Sequence, residues 1–207
     1  KLDILDNERA RAAGRFGAAI EINNGIYPAF ADCSVGARPS SRLMYFVSRR
    51  FAMGLQRWEK DDPAGPEGAL YESMMYSFEN SASRAKPATA DSGQLPIRSW
   101  FDKAGVLICR PKPDSQSHLA VALKDGHNAE HHNHNDVGSF VVVLGDNPLL
   151  LDPGAEVYTA RTFSGRRYDS NVLNSFGHPV PVVAGKLQRT GGDARGVVLN
   201  QQFTDDA

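Results

Sequence analysis

The chain has 207 residues, 23 basic and 24 acidic side chains, a formal net charge of −1 and 41% hydrophobic residues. That length holds one or two domains. The near-neutral charge, with scattered arginines and no basic stripe carrying interleaved aromatics, excludes a nucleic-acid binder, and no apolar run approaches membrane-spanning length. Two cysteines, Cys33 and Cys109, make no disulfide framework and leave their pairing and the redox compartment open. The chain begins without methionine inside a helical pattern and stops at Thr204-Asp205-Asp206-Ala207 with no closing element, so it reads as a piece of a longer protein.

Residues 1 to about 58 read as helical. Leu5, Ala12, Phe16, Ala19 and Ile20 recur at helical spacing, and Asn23-Asn24-Gly25 is a stop signal. Residues 26–39 form a loop holding Tyr27-Pro28-Ala29-Phe30-Ala31-Asp32. A second helix starts at Ser40 or Ser41 with Leu43, Met44, Val47, Phe51, Leu55 and Trp58 as its apolar face. Residues 61–68 are a loop, and Leu70 to Phe78 suits a short third helix. Residues 81–96, polar and with two prolines, read as a linker. There are no internal repeats.

From Ile97 the period changes. Residues 97–101 and 106–110 flank a turn at Asp102-Lys103-Ala104-Gly105, a hairpin signal. His118 to Lys124 alternates, with Leu119, Val121 and Leu123 expected on the buried face. Gly138 to Leu144 is a valine-rich strand, Gly145 to Pro148 a turn, and Leu149 to Leu151 a strand ending in Asp152-Pro153-Gly154. Residues 158–174, polar with several hydroxyls and arginines, read as a long surface or active-site loop. Val180–Val183 and Val197–Leu199 are expected as further strands. The second half is all-β, an antiparallel sandwich.

The chemistry concentrates in His127-Asn128-Ala129-Glu130-His131-His132-Asn133-His134-Asn135-Asp136, where four of the six histidines fall. His132 and His134 form a His-x-His pair, and in an extended segment residues two apart point the same way. The hairpin after them returns Asp152 to the same end of the sheet, and His178 offers a third nitrogen. Two imidazoles and one carboxylate suit zinc. His118, His127 and His131 are expected to be ordinary strand or loop residues. Glu130 and Asp136 are expected to orient a histidine or cap a turn. Two metal patterns fail: a metallo-β-lactamase motif would continue with histidine where Val137 stands, and a cupin would need a glutamate where Val137 to Phe140 stand.

The ordered set His132-Asn133-His134-Asn135-Asp136-Val137-Gly138-Ser139-Phe140, Leu151-Asp152-Pro153-Gly154, Tyr158, Arg167-Tyr168 and Asn174-Ser175-x-Gly177-His178 resembles the heparinase II/III-like polysaccharide lyases, which include alginate and oligoalginate lyases. Trp100-Phe101 with Gly105-Val106-Leu107 resembles the family's first sandwich strands, and Tyr27-Pro28-x-Phe30-x-Asp32 a loop late in its helical domain. The resemblance implies an α+β multidomain fold. Residues 1–80 would be the tail of an incomplete α/α toroid, 81–96 the linker, and 97–207 the front of an antiparallel β-sandwich.

It also implies a lyase cleaving a uronic-acid polysaccharide by β-elimination, and a periplasmic or secreted location. His134, Asp152 and His178 match the zinc ligands, the ion being mainly structural, although Pro179 stands where the family's motif has asparagine after the histidine. His132 and Tyr168 match catalytic positions. Arg161, Arg166, Arg167 and Tyr158 would meet an acidic polysaccharide. The family's remaining catalytic motifs, on toroid helices, have no match before His132, so this stretch alone is expected to be inactive. Two other readings stay open: a zinc-stapled carbohydrate-binding or structural sandwich without catalysis, and a metal-dependent hydrolase or oxygenase. The sequence says nothing of oligomeric state, of endo or exo action, or of which uronate polymer is cut.

Overall fold

The computed structural model describes residues 7–55 and 95–204. The chain divides into two compact units. The helical one draws on residues 1–20 and 39–96, the sheet one on 21–38 and 97–207. Residues 21–38, which the sequence placed with the helices, therefore belong with the sheet.

In the helical unit, α1 spans Glu8–Ala19 and α2 Ser41–Arg50. Each begins on a side-chain cap. The Asn7 amide oxygen accepts from the Ala10 N–H at 2.9 Å, and the Ser40 hydroxyl accepts from the Leu43 N–H at 3.4 Å. Ala18 packs with Met44, and Val47 with Phe51 and Met53. Gly14 permits this approach, because a Cβ there would stand 2.8 Å from the Phe51 ring and 2.9 Å from Val47. The second helix is shorter than its apolar stripe suggested. Ala52 and Gly54 turn left-handed (φ 51° and 64°) and end it before Leu55. Trp58 and the helix expected at 70–78 lie outside the described residues. No described helix is long and apolar enough to cross a membrane.

The sheet unit is built on five antiparallel strands in the order β1 (Arg98–Phe101), β2 (Val106–Cys109), β3 (Leu119–Lys124), β5 (Phe140–Leu144) and β6 (Asn147–Leu150). The hairpin at Asp102–Gly105 pairs Phe101 with Val106, as its turn residues imply. Two very short partners, β4 (His127–Asn128) and β7 (Gly191–Arg195), form a separate ladder.

The register aligns Ser99, Ile108, Ala122 and Val141 across one face, and all four are buried. This reverses the expectation for β3. Ala120, Ala122 and Lys124 are its buried residues, while Leu119 and Leu123 are exposed. Small side chains leave room on that face for the loops that carry the polar site, and Lys124 reaches across to one of them at Asp136. The opposite face presents Trp100, Leu107, Val121 and Leu123.

Two expected strands are absent. Val180–Val183 lies among Pro179 and Pro181, which lack the N–H a ladder needs, and makes only an isolated bridge from Val183 to Lys186. Val197–Leu199 has no strand partner and is exposed. Valine content alone does not make a strand without a neighbour to pair with.

Gly154 closes the turn after the last long strand. Its φ is +65°, and a Cβ there would collide with the Cys33 carbonyl. The backbone runs so close because the Ala155 N–H donates to that same carbonyl at 3.0 Å. Gly154→Ala is expected to lower stability by about 2 kcal/mol or more, read by urea denaturation, because left-handed strain and a backbone clash add. Both cysteines are free thiols, and burial raises the pKa of each.

Candidate functional site

The histidine loop is not extended, contrary to the assumption behind the His-x-His reading. His132 takes a left-handed backbone (φ +57°), which turns its ring outward until the side chain is 74% exposed, while His134 is fully buried. The loop is pinned from several sides. The Asn135 N–H donates to the Leu173 carbonyl at 2.9 Å. The Gly138 N–H donates to the Lys124 carbonyl, also at 2.9 Å. The Gln188 amide nitrogen donates to the Val137 carbonyl at 2.7 Å.

The two histidines nevertheless meet, on a motif residue to which the sequence assigned no role. Asp32 lies about 100 positions earlier, and its side chain is only 7% exposed. One carboxylate oxygen, Oδ1, faces His134 Nε2 at 2.8 Å and an Arg167 NH2 at 2.9 Å. The other, Oδ2, faces the Tyr158 hydroxyl at 2.7 Å and His132 Nδ1 at 3.2 Å. A carboxylate accepts about four hydrogen bonds, so Asp32 is filled. Burial pushes its carboxyl up, but Tyr158, His134 and Arg167 together outweigh that and hold it at about 2, against an ordinary 3.8. The same bond raises the Tyr158 phenol, since ionising it would set two anions together. Tyr158 therefore stays a donor.

Asp32 is depressed in the folded state, so the unfolded chain takes up the proton first as pH falls. Its contribution is complete above about pH 4 and disappears by about pH 2, on the order of 2 kcal/mol. Asp152 is lowered too and acts in the same direction. Acid titration of the unfolding free energy is expected to fall in that window. The Asp32→Asn variant, having no such carboxyl, is expected to show a shallower fall.

A second polar cluster lies behind His134. His178 Nδ1 stands 2.9 Å from Asp152 Oδ2, which also accepts from the Ser139 hydroxyl at 2.6 Å, while the Gly154 N–H donates to Oδ1 at 3.0 Å. Burial raises the Asp152 carboxyl, and His178, Ser139 and Gly154 overcome that and lower it. The His134 and His178 rings are 5.2 Å apart. Burial lowers the pKa of His134 and keeps it neutral, against the bond to Asp32.

Since each imidazole gives an N–H to a carboxylate, its other nitrogen carries a bare lone pair. Those nitrogens, His134 Nδ1 and His178 Nε2, are both buried without a hydrogen-bond partner. Buried imidazole nitrogens with lone pairs, close to a carboxylate, are the ligand types that suit a metal ion.

Asp136, Asp152 and His178 also bring ligand atoms within 4.8 Å of one another and could hold an ion. Asp152 and His178 are shared with the expected ligand set, and Asp136 stands in this cluster where His134 was expected. Asp136 is the weaker member on chemical grounds. Its Oδ1 already pairs with the buried Lys124 ammonium at 2.8 Å and its Oδ2 accepts from the Ala31 N–H at 3.3 Å, so a second cation would meet a neutralised group.

The other expected site residues are placed as follows. Arg167 also donates to the Asn133 carbonyl at 2.9 and 3.1 Å and to the Thr162 carbonyl at 3.2 Å. Tyr168 accepts at its hydroxyl from the Asn133 amide at 3.0 Å, one residue from His132. Arg161 is tied to both Glu156 oxygens at 2.9 and 3.0 Å. Arg166 pairs with Asp169 at 2.8 Å on the open surface. Among the missed residues, Lys124 had no local signal, and Asp32 stood in the Tyr27-Pro28-x-Phe30-x-Asp32 motif with no role assigned, since each acquires its role from a partner distant in sequence.

No family model and no curated protein matches the chain. Two solved structures are similar to it. Both are described as a heparinase III gene product, one with methylated lysines, at 19% and 18% identity and a TM-score of 0.47. The match covers 84% of this chain and 23% of theirs, so the chain spans less than a quarter of their length.

Proposed function

We propose that this chain carries part of the catalytic centre of a polysaccharide lyase that cleaves uronic-acid polymers by β-elimination. One observation carries the reading: a filled, buried carboxylate gathers an exposed histidine and a tyrosine immediately beside two buried histidines with bare lone pairs. The motif resemblance supplies the reaction class. In that reaction a base takes the proton beside the sugar carboxylate, and the 4-linked oxygen leaves with a proton from an acid. His132 is the base in this reading, supported by Nδ1 on Asp32 and by its ring in solvent. Tyr168 is the acid: its oxygen accepts from Asn133, which leaves its own proton to give. Tyr158 spends its proton on Asp32 and orients rather than reacts. Of the three arginines, Arg166 is the most exposed and is the one to meet the polymer's charge.

The metal would be zinc, held by His134, Asp152 and His178. Bound there, it would supply a structural anchor for the loop that ends at His132. Zinc bound in proportion to the protein is expected, read by elemental analysis after dialysis, and lost with His178→Ala.

The test of the function is the ultraviolet absorbance of unsaturated uronate when the full-length protein meets heparan-type, alginate-type and neutral polysaccharides. A rise on a uronate polymer and none on the neutral ones is the expected result. No rise on any uronate polymer, with zinc bound, would overturn the reading.

A further inference from the structure

We infer that Asp32 is the positioning residue of His132: its carboxylate fixes the outward-facing ring as the Nδ1–H tautomer, so that Nε2 presents a lone pair to solvent. The inference rests on the lyase reading only for what that lone pair acts upon.

An ionised carboxylate only accepts, so each group around Asp32 must donate to it. Oδ2 is 3.2 Å from His132 Nδ1, which therefore carries a proton and leaves Nε2 as the nitrogen that can hold a lone pair. Competition for Oδ2 comes from Tyr158, a hydroxyl that can only be satisfied there by donating. Asp32 cannot turn away to relieve the crowding, because Arg167 and His134 clamp the other oxygen.

Backbone geometry points the same way. The Asp32 N–H donates to the His132 carbonyl at 3.3 Å, so Asp32 holds that residue at main chain and ring together. Both sides of this contact are strained: Ala31 has φ +55° and His132 φ +57°, in a region costly for residues with a Cβ. Ala31 is retained there by its N–H bond to Asp136, which Lys124 fixes in turn. The left-handed turn at His132 is held on the main chain by the Asp32 N–H and leaves its ring aimed outward. A histidine with no task in solvent would need neither the left-handed backbone nor a buried carboxylate behind it.

The test is the 15N spectrum of imidazole nitrogens in full-length protein labelled at histidine, with His132 assigned by its loss in His132→Ala. The expected result is the Nδ1–H tautomer for His132 in the wild type and a shift toward Nε2–H in Asp32→Asn, whose amide can donate to Nδ1. In the same variant, kcat on a uronate polymer is expected to fall by about 10²- to 10⁴-fold with KM changed far less. Asp32→Glu, keeping the acceptor, is expected to recover part of the tautomer preference and part of the rate.

A wild-type ring in the Nε2–H form, or in an even mixture, would overturn the inference, as would an unchanged tautomer in Asp32→Asn. The wild-type spectrum decides the point even if Asp32→Asn does not fold. It also decides it if no uronate product forms, an outcome that removes the lyase reading and leaves the positioning of His132 to the spectrum.

Discussion

Asp32→Ala is expected to be the most damaging single substitution in the sheet unit, lowering stability by about 3 to 5 kcal/mol. The loss would leave the Arg167 guanidinium, 16% exposed, without its counter-ion and the fully buried His134 Nε2–H without an acceptor. Arg167 keeps two backbone carbonyls, at Asn133 and Thr162, which limits the cost. His134 keeps nothing comparable. Asp32→Asn retains an acceptor and is expected to cost about half as much. Chemical denaturation of the three proteins, compared at pH 7, checks the order. A loss under about 1 kcal/mol in Asp32→Ala would mean the carboxylate is not the junction described here.

His132→Ala is expected to behave in the opposite way. The side chain is 74% exposed and makes one bond, at 3.2 Å, so its loss should change stability by less than about 1 kcal/mol. Alanine in place of histidine keeps the left-handed strain, and a glycine there would relieve it. Activity of the full-length protein on a uronate polymer should nevertheless fall by about 10²- to 10⁴-fold, the range a positioned base supplies. The two substitutions thus separate: one residue holds the site together and the other acts in it. Equal losses of stability in both would contradict that division.

The sequence carried the sheet well where pairing is local. The turn at Asp102–Gly105 fixed the first hairpin, and the valine run after Gly138 became β5. It named Asp152 and His178 as ligands of one ion from their order in a motif, and the fold brings these two within 2.9 Å of each other and into a cluster with Asp136 that could hold one. It failed where the deciding partner is remote. Asp32 sits in an aperiodic loop, where a carboxylate is ordinarily solvated, and only the folded chain brings four donors to it. Lys124 sits at a strand end, where an ordinary lysine would point to solvent. Here Asp136, twelve residues on, draws it under the sheet and the alternation of β3 comes out inverted. The valines at 180–183 and 197–199 erred the other way, having the propensity for strand and no edge to join.

Elimination differs from hydrolysis in one atom balance, the water that hydrolysis adds. A lyase splits the chain without adding water and leaves a double bond in the new end sugar. A hydrolase on the same metal adds one water for every bond cut. The measurement is the mass spectrum of oligosaccharides released by the full-length protein from a uronate oligomer of defined length. Product masses that sum to the substrate's, absent from the His132→Ala reaction, are the result expected here. Products heavier by one water at each cut would contradict the assignment of His132 as the base of an elimination.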